Sequence, residues 1–237
     1  MKGADMKNIA IIPARSGSKG LKDKNIKELM GIPLLAYSID AAKASGLFDE
    51  IMVSTDSRHY ADIAVRYGAS VPFLRSKERS GDNAGSWDVA EEVLRGYLKA
   101  GRAFDTVCLL QPTSPLRKAE DIVRGYELFG SKNADAVTAV CETEHSPLWC
   151  MTLPDNLSLA QFREGVEEGV PRQQLEKYYR INGALYIRKV KYEDGQIVLC
   201  SKDEYALIME RSRSVDIDEE LDFRLARCLL ENTGMQA

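Results

Sequence analysis

Residues 14–25 (ARSGSKGLKDKN) bring together side chains that could bind an anion. The segment holds the cations Arg15, Lys19, Lys22 and Lys24 among serines and glycines. This composition suits a ligand with several negative charges, such as a nucleoside triphosphate. The segment matches neither GxxxxGK[ST] nor GxGxxG, so an ordinary Walker loop and a dinucleotide-binding loop are both unsupported. A solvated basic surface loop is the competing interpretation.

A second polar segment, residues 109–117 (LLQPTSPLR), places Gln111 directly before the first of two prolines. Backbone that precedes proline favours an extended conformation, so the Gln111 amide is expected to point into a crevice beside Thr113. The alternative is a turn that only caps the next helix through Ser114.

The acidic segment SVDIDEELD contains Asp216 and Asp218. Two residues spaced two apart on extended chain point the same way, and a pair of carboxylates suits Mg²⁺ whose remaining ligands are water and phosphate. Asp216 is the better metal candidate, because the acidic residues 218–222 also suit the N-terminus of the last helix. The two interpretations are compatible.

An alternating pattern of strands and helices must position these segments. Apolar, β-branched runs predict buried strands at 8–13, 50–55, 106–110 and 136–140. Helical spacing predicts helices at 33–46, 60–67, 89–100 and 119–129. The predicted fold class is therefore α/β, with a mostly parallel sheet flanked by helices. Ligands bind at the carboxyl ends of such strands, which is where the first two polar segments lie.

The pattern changes at residues 142–182, which contain three prolines and no clear helical stripe before the polar run QQLEKYYR. We interpret this stretch as an inserted arm or lid that serves dimerisation or site closure. Residues 1–141 and 183–237 then form one α/β domain, with strands at 184–187 and 206–209 and a terminal helix.

The amino-acid composition excludes several classes of protein. A chain of 237 residues, 44% of them hydrophobic, fits one α/β domain. The net charge of -4 argues against nucleic acid as a partner. Five scattered cysteines without a CxxC pair argue against a disulfide framework and structural zinc, and no apolar run is long enough for a membrane span. These features predict a cytoplasmic protein.

Six segments occur together in the order and approximate spacing of one enzyme family: IIPARSGSKGLKDKN, VSTDS, LLQPTSPLR, PRQQ, NGALYI and SVDIDEELD. Over about residues 8–225 the sequence resembles the CMP-sialic acid synthetases (acylneuraminate cytidylyltransferases), including legionaminate- and pseudaminate-type enzymes. The resemblance implies a Rossmann-like nucleotidyltransferase fold with a small dimerisation arm. It also implies a Mg²⁺-dependent homodimer that joins CMP from CTP to a nonulosonic acid and releases pyrophosphate.

The resemblance further implies roles for individual residues. Nucleotide binding falls to Arg15, Lys19, Lys24, Asn25, Arg75 and Ser86, and catalysis to Arg15, Lys19 and Asp216. Sugar binding falls to Gln111 and Tyr186, together with Arg172 and Gln173 of an arm that approaches the neighbouring subunit's site. Asp216 and Asp218 correspond to the metal ligands.

Other functions stay open at this point. Trp149 stands where some sialic acid enzymes carry a lysine near the sugar, so the substrate could be another acidic sugar such as legionaminate, pseudaminate or KDO. Asp216 and Asp218 could also form the DxD metal site of a glycosyltransferase. A non-catalytic nucleotide sensor is a third class, although it would have no reason to keep both the basic loop and the aspartates.

Overall fold

The computed structural model describes residues 6–17, 20–81, 85–159 and 176–232. Its strands are β1 (Asn8–Pro13), β2 (Glu28–Leu29), β3 (Ile32–Pro33), β4 (Glu50–Ser54), β5 (Thr106–Leu109), β6 (Ala136–Glu142), β7 (Tyr179–Glu193), β8 (Gln196–Leu199) and β9 (Glu204–Ile208). Its α-helices are α1 (Leu34–Ser45), α2 (Arg58–Arg66), α3 (Ser86–Lys99), α4 (Ala119–Ser131) and α5 (Glu220–Asn232).

The main sheet has the strand order β4-β1-β5-β7-β6-β9, and β8 pairs with the far end of β7. β1 is parallel to β4 and β5, and β9 is parallel to β6. β7 is antiparallel to both of its neighbours, β5 and β6. The sheet is therefore mostly parallel with one reversed central strand, which confirms the predicted α/β class.

Helices cover the sheet on both faces. Because side chains alternate along a strand, Ile9 and Ile11 of β1 pack on the α3 side, while Ala10 and Ile12 pack on the side of α1 and α2. All four side chains are fully buried. Burial on both faces explains why the first strand reads as an unbroken apolar run.

The largest difference from the sequence prediction is β7, which runs over Tyr179–Glu193 where a short strand at 184–187 was predicted. Its pairing with β6 shifts register between Thr138 and Val140, at the point where β7 passes through Asn182 and Gly183. Gly183 has a φ of 77°, which is typical of a bulge and not of regular strand. The sequence predicts that the insert ends at residue 182, inside this strand.

The predicted insert, residues 142–182, therefore begins and ends within paired strands. Glu142 of β6 pairs with Tyr179 of β7, and the pairing continues to Val140 and Ile181. Residues 160–175 lie outside the described part of the chain, so the dimerisation arm stays a prediction.

Candidate functional site

A cleft of ≈ 480 Å³ opens where β1 and β5 end. Predicted site residues from distant parts of the chain line it together: Arg15, Lys24, Asn25, Arg75, Ser86, Gln111, Asp216 and Asp218. Tyr186 lies close by, because it pairs with Leu109 at the end of β5, and burial and then the charge of Asp216 raise its pKa. Lys19, Arg172 and Gln173 are outside the described residues. The structure thus joins the basic loop, the Gln111 turn and the acidic segment in one site.

The basic loop, residues 14–25, is held in place by contacts of Asn25, Asp56 and the acidic segment. The Asn25 side chain, which is buried, donates to the Arg15 carbonyl oxygen at 2.9 Å. Asp56, which follows β4, accepts the Ser16 backbone N–H and the Ser16 hydroxyl, both at 2.8 Å. At Gly20 an added Cβ would lie 2.7 Å from the Asp218 carbonyl oxygen, so the loop passes directly against the acidic segment.

Arg75 supplies a second guanidinium to the cleft from a buried position. Its Nε donates to the Ser54 hydroxyl at 3.0 Å and its Nη2 to the Ser54 carbonyl oxygen at 2.5 Å. Burial lowers the pKa of Arg75 to about 10, and the nearby Arg15 acts in the same direction, whereas Asp56 and Glu92 oppose it. Arg75 therefore remains a cation at neutral pH beside another cation, which favours a bound anion.

The N-terminus of α3 faces the same space. Its first residue, Ser86, and the following turn at Val89 line the cleft. Unpaired N–H groups at a helix N-terminus attract phosphate and other anions. The helix N-terminus and the two guanidiniums make one side of the cleft electropositive, which suits an anion, and this side is called the anion-binding wall.

The Gln111 turn is fixed by a buried arginine. Arg117 donates to the Ala184 carbonyl oxygen at 2.8 Å and to the Ser38 hydroxyl at 2.6 Å, and its Nη1 lies 3.3 Å from the Gln111 carbonyl oxygen. Arg117 is thus a support of the turn and not a cleft residue. The alternative that Ser114 caps the next helix is wrong, because α4 begins at Ala119, where the Asp121 carboxylate accepts the Lys118 N–H at 3.0 Å.

The acidic segment crosses the floor of the cleft. The Ile217 N–H donates to the Thr113 carbonyl oxygen at 2.8 Å, which ties the segment to the Gln111 turn. Asp218 is exposed and pairs with Lys24, with Oδ1 and Nζ 2.9 Å apart. Asp222 accepts the N–H groups of Asp218 and Glu219 at 2.9 Å each. Asp222, in the first turn of α5, therefore holds the backbone that leads into the helix, while Asp216 and Asp218 line the cleft.

Asp216 is the deeper carboxylate, and its surroundings fit a metal ligand. Its Oδ1 is buried without a hydrogen-bond partner among the described residues. Burial raises its pKa, the Asp218 charge adds to this, and a hydrogen bond from Thr113 with the charges of Lys24 and Arg180 opposes it. Such a carboxylate would gain from a cation.

Asp216 and Asp218 offer two carboxylates to a candidate metal ligand set. In the described ranges no group of three or more His, Cys, Asp or Glu residues could hold a metal ion. Mg²⁺ ordinarily takes one or two carboxylates and completes its shell with waters and substrate phosphates. Two aspartates beside an anion-binding wall fit that requirement.

Gly183, in the segment NGALYI, lies against two residues of the cleft, and its sequence context does not indicate this position. An added Cβ would lie 2.6 Å from Gln111 Oε1 and 3.2 Å from Asp216 Oδ2, so Gly183 separates the two cleft side chains. The alternation of residues along a strand does not predict this contact, because the contact depends on the register shift between β6 and β7.

Gly183→Ala is expected to displace both Gln111 and Asp216. Because small displacements of reacting groups are costly, we expect a loss of about 100-fold in turnover. The positive φ should lower the free energy of unfolding by about 1–2 kcal/mol. Gly130→Ala in α4 is the control, since nothing lies within 4 Å of its added Cβ. Turnover and urea unfolding measure both effects, and equal activity of the two variants would contradict the role given to Gly183.

Residues 9–213 match the family model described as Cytidylyltransferase. The chain belongs to the cytidylyltransferase family. Members of this family are nucleotidyltransferases, and the class predicted from the sequence motifs is confirmed. Among the residues described for this cytidylyltransferase, no helix is both long enough and apolar enough to cross a bilayer.

Relatives with assigned names resemble this cytidylyltransferase along nearly all of its length. It is 37% identical over 229 residues to the CMP-N,N'-diacetyllegionaminic acid synthase of Legionella pneumophila, covering 95% of this chain and 97% of the relative. It is 33% identical to the pseudaminic acid cytidylyltransferase of Campylobacter jejuni, with 94% and 96% covered. It is 40% identical to the N-acylneuraminate cytidylyltransferase of Streptococcus agalactiae, but it spans only 52% of that protein.

Solved structures agree with the fold of this cytidylyltransferase. CMP:2-keto-3-deoxy-manno-octonic acid synthetase complexed with CTP superposes with a TM-score of 0.67 at 14% identity, covering 96% of this chain and 99% of that one. A 4-diphosphocytidyl-2C-methyl-D-erythritol synthase gives 0.62 at 14% identity, covering 95% and 100%. At such low identity these structures speak to the fold alone, and they confirm the nucleotidyltransferase-like α/β architecture.

Proposed function

We propose that this cytidylyltransferase transfers CMP from CTP to a nonulosonic acid and releases pyrophosphate. One observation carries the proposal: the cations that follow β1 and the aspartates that precede α5 line the same cleft. The names of the relatives support the sugar class, since they refer to legionaminic, pseudaminic and acylneuraminic acids.

The anion-binding wall would bind the triphosphate. Arg15 and Arg75 would pair with phosphate oxygens, and the α3 N-terminus at Ser86 would add N–H donors. Lys24 and the basic loop residue Lys19 would add further positive charge, and Asn25 holds the loop through the Arg15 carbonyl oxygen. Transfer of a nucleotidyl group needs alignment and charge neutralisation more than a covalent intermediate, so no side-chain nucleophile is required.

In the proposed reaction the anomeric hydroxyl of the sugar acid attacks the α-phosphorus of CTP. A bond forms between the sugar oxygen and the α-phosphorus while the bond to the bridging oxygen of the β-phosphate breaks. Pyrophosphate leaves, and the hydroxyl proton passes to solvent. Arg15 and Lys19 would offset the negative charge that builds on the leaving group.

Asp216 and Asp218 would hold Mg²⁺, which fits the unpaired Oδ1 of Asp216. When bound, the ion supplies charge neutralisation for the phosphate oxygens. To bind the ion, Asp218 would give up its ion pair with Lys24, which its exposed position allows.

Sugar binding is proposed for the side of the cleft where Gln111 and Tyr186 meet Asp216. Gln111 offers both a donor and an acceptor, which suits the acylamino group of a nonulosonic acid. The Tyr186 ring is fixed edge-on against Trp87, with ring centroids 6.2 Å apart. Arg172 and Gln173 would complete this side from the partner subunit.

A substrate panel tests the function. The protein is incubated with CTP, with or without Mg²⁺, and with N-acetylneuraminate, diacetyllegionaminate, pseudaminate or KDO, and products are read by mass. We expect a CMP-sugar and an equal amount of pyrophosphate for a nonulosonic acid, only with Mg²⁺. Product with KDO alone would move the substrate to that class. Transfer from a nucleotide sugar without CTP consumption would indicate a glycosyltransferase, and CTP binding without turnover a sensor.

We also infer that the protein works as a cytoplasmic homodimer. Its five cysteines are free, which suits a reducing compartment. Ile181 and Ile208 flank Val140 on neighbouring strands and are both exposed, so they form an apolar patch that a second copy could cover. Sedimentation is expected to give twice the chain mass of 26.4 kDa. A monomer at micromolar concentration would contradict the dimer.

A further inference from the structure

Asp56 makes a two-pronged contact that the proposed chemistry does not use directly. Its Oδ1 accepts the Ser16 backbone N–H and its Oδ2 accepts the Ser16 hydroxyl, each at 2.8 Å. Ser16 lies next to Arg15 in the basic loop, forty residues away from Asp56 in the chain. Both carboxylate oxygens are thus committed to one residue of that loop.

Helix capping does not account for this aspartate. The sequence leaves open whether Ser54, Thr55 and Asp56 cap the next helix or face a crevice. In the structure Ser57 is the N-cap of α2 and accepts the Tyr60 N–H at 3.4 Å. The Asp56 carboxylate faces the loop instead, and Asp56 itself is not among the residues that line the cleft.

The charge of Asp56 also bears on the two guanidiniums of the cleft. Arg15 and Arg75 lie close enough for Arg15 to disfavour the charged form of Arg75, while Asp56 favours that form. Burial alone would raise the pKa of Asp56, but the Ser16 bonds and Arg75 together hold it below its ordinary value. Asp56 is therefore an anion at neutral pH. Its negative charge offsets the repulsion between Arg15 and Arg75 when no polyanion is bound.

We propose that Asp56 is a positioning residue for CTP: it latches the basic loop to the end of β4 through Ser16 and stabilises the paired charges of Arg15 and Arg75, without touching the nucleotide. The inference rests on the proposed function, because it assigns the loop to the triphosphate. Its specific consequence is an effect on CTP and not on the sugar, since the Ser16 contact lies on the anion-binding side of the cleft.

The test is Asp56→Asn, which keeps the size of the side chain and one acceptor for the Ser16 N–H but removes the charge and replaces the acceptor for the hydroxyl with a donor. Loss of a charge-assisted hydrogen bond corresponds to about tenfold in affinity. We therefore expect Kd for CTP with Mg²⁺, by calorimetry, and KM for CTP to rise about tenfold. KM for the sugar should stay within about twofold. Asp62→Asn, exposed on α2, is the matched control.

Ser16→Ala tests the same latch from the loop side and serves if Asp56→Asn does not fold. It should weaken CTP binding in the same direction. The double variant should bind CTP no more weakly than Asp56→Asn alone, because both changes remove the charge-assisted bond from the Ser16 hydroxyl to Asp56. Unchanged CTP affinity in the single variants, or an equal rise in both KM values, would overturn the inference while leaving the proposed function intact. Failure of the unaltered protein to bind CTP would instead remove the proposed function, and this inference with it.

Discussion

Asp216→Asn is expected to lower turnover about a thousandfold without unfolding the protein. The change preserves the shape of the side chain but removes the charge that would hold Mg²⁺ against the phosphates. The loss should appear in kcat at saturating CTP, because the anion-binding wall remains. Pyrophosphate release under saturating substrates measures it, and Asp203→Asn, on an exposed aspartate before β9, is the control.

The same variant should be at least as stable as the original protein. Burial raises the folded-state pKa of Asp216 above 3.8, so its stabilising contribution is present below that value and is lost as the pH rises through the folded pKa. At neutral pH the ionised carboxylate therefore lowers the free energy of unfolding, and asparagine removes this effect. Thermal unfolding at pH 7 measures this. Near-normal turnover would contradict the role of Asp216 as a metal ligand. A large drop in the melting temperature would contradict the prediction that its charge destabilises the folded protein.

Arg15→Ala is expected to weaken the response to CTP and to slow turnover, with a combined loss in kcat/KM for CTP of about 100-fold to 1,000-fold. Arg15 lines the cleft beside the buried Arg75, and its removal leaves the triphosphate one guanidinium short. KM for the sugar should change little. A CTP titration followed by pyrophosphate release separates these quantities.

Arg66→Ala, at the exposed end of α2, is the matched control for the loss of one arginine. A loss of similar size in both variants would indicate a general effect of charge. A loss in Arg15→Ala confined to the sugar KM would move Arg15 to the other half of the cleft.

Much of the candidate site could be predicted from the sequence, because several of its segments have recognisable local patterns. The apolar run of β1 that ends in a basic loop, and the aspartates two apart before the last helix, are visible without any structure. The parallel sheet explains why the basic loop and the Gln111 turn meet at one edge. The aspartates join them through the Ile217 N–H, which donates to the Thr113 carbonyl oxygen. Arg75 and Ser86 carried no such local signal, and only the family resemblance singled them out.

The rest depended on contacts that no local pattern encodes. Asp56 looked equally suited to capping a helix, and only the position of Ser16 shows which partner it has. The position of Gly183 and the length of β7 depend on a register shift opposite Thr138 and Val140. The sequence pattern therefore predicts a boundary after residue 182, whereas the strand continues through it. Long-range pairing decided each of these cases.

The central claim is that a divalent ion on Asp216 meets a triphosphate held by Arg15 and Arg75. The most direct measurement is an anomalous difference map from crystals of the protein soaked with CTP and Mn²⁺. We expect a metal peak within coordination distance of both Asp216 and a CTP phosphate, with the triphosphate against the two arginines. A peak on other residues, or a nucleotide bound outside this cleft, would contradict it.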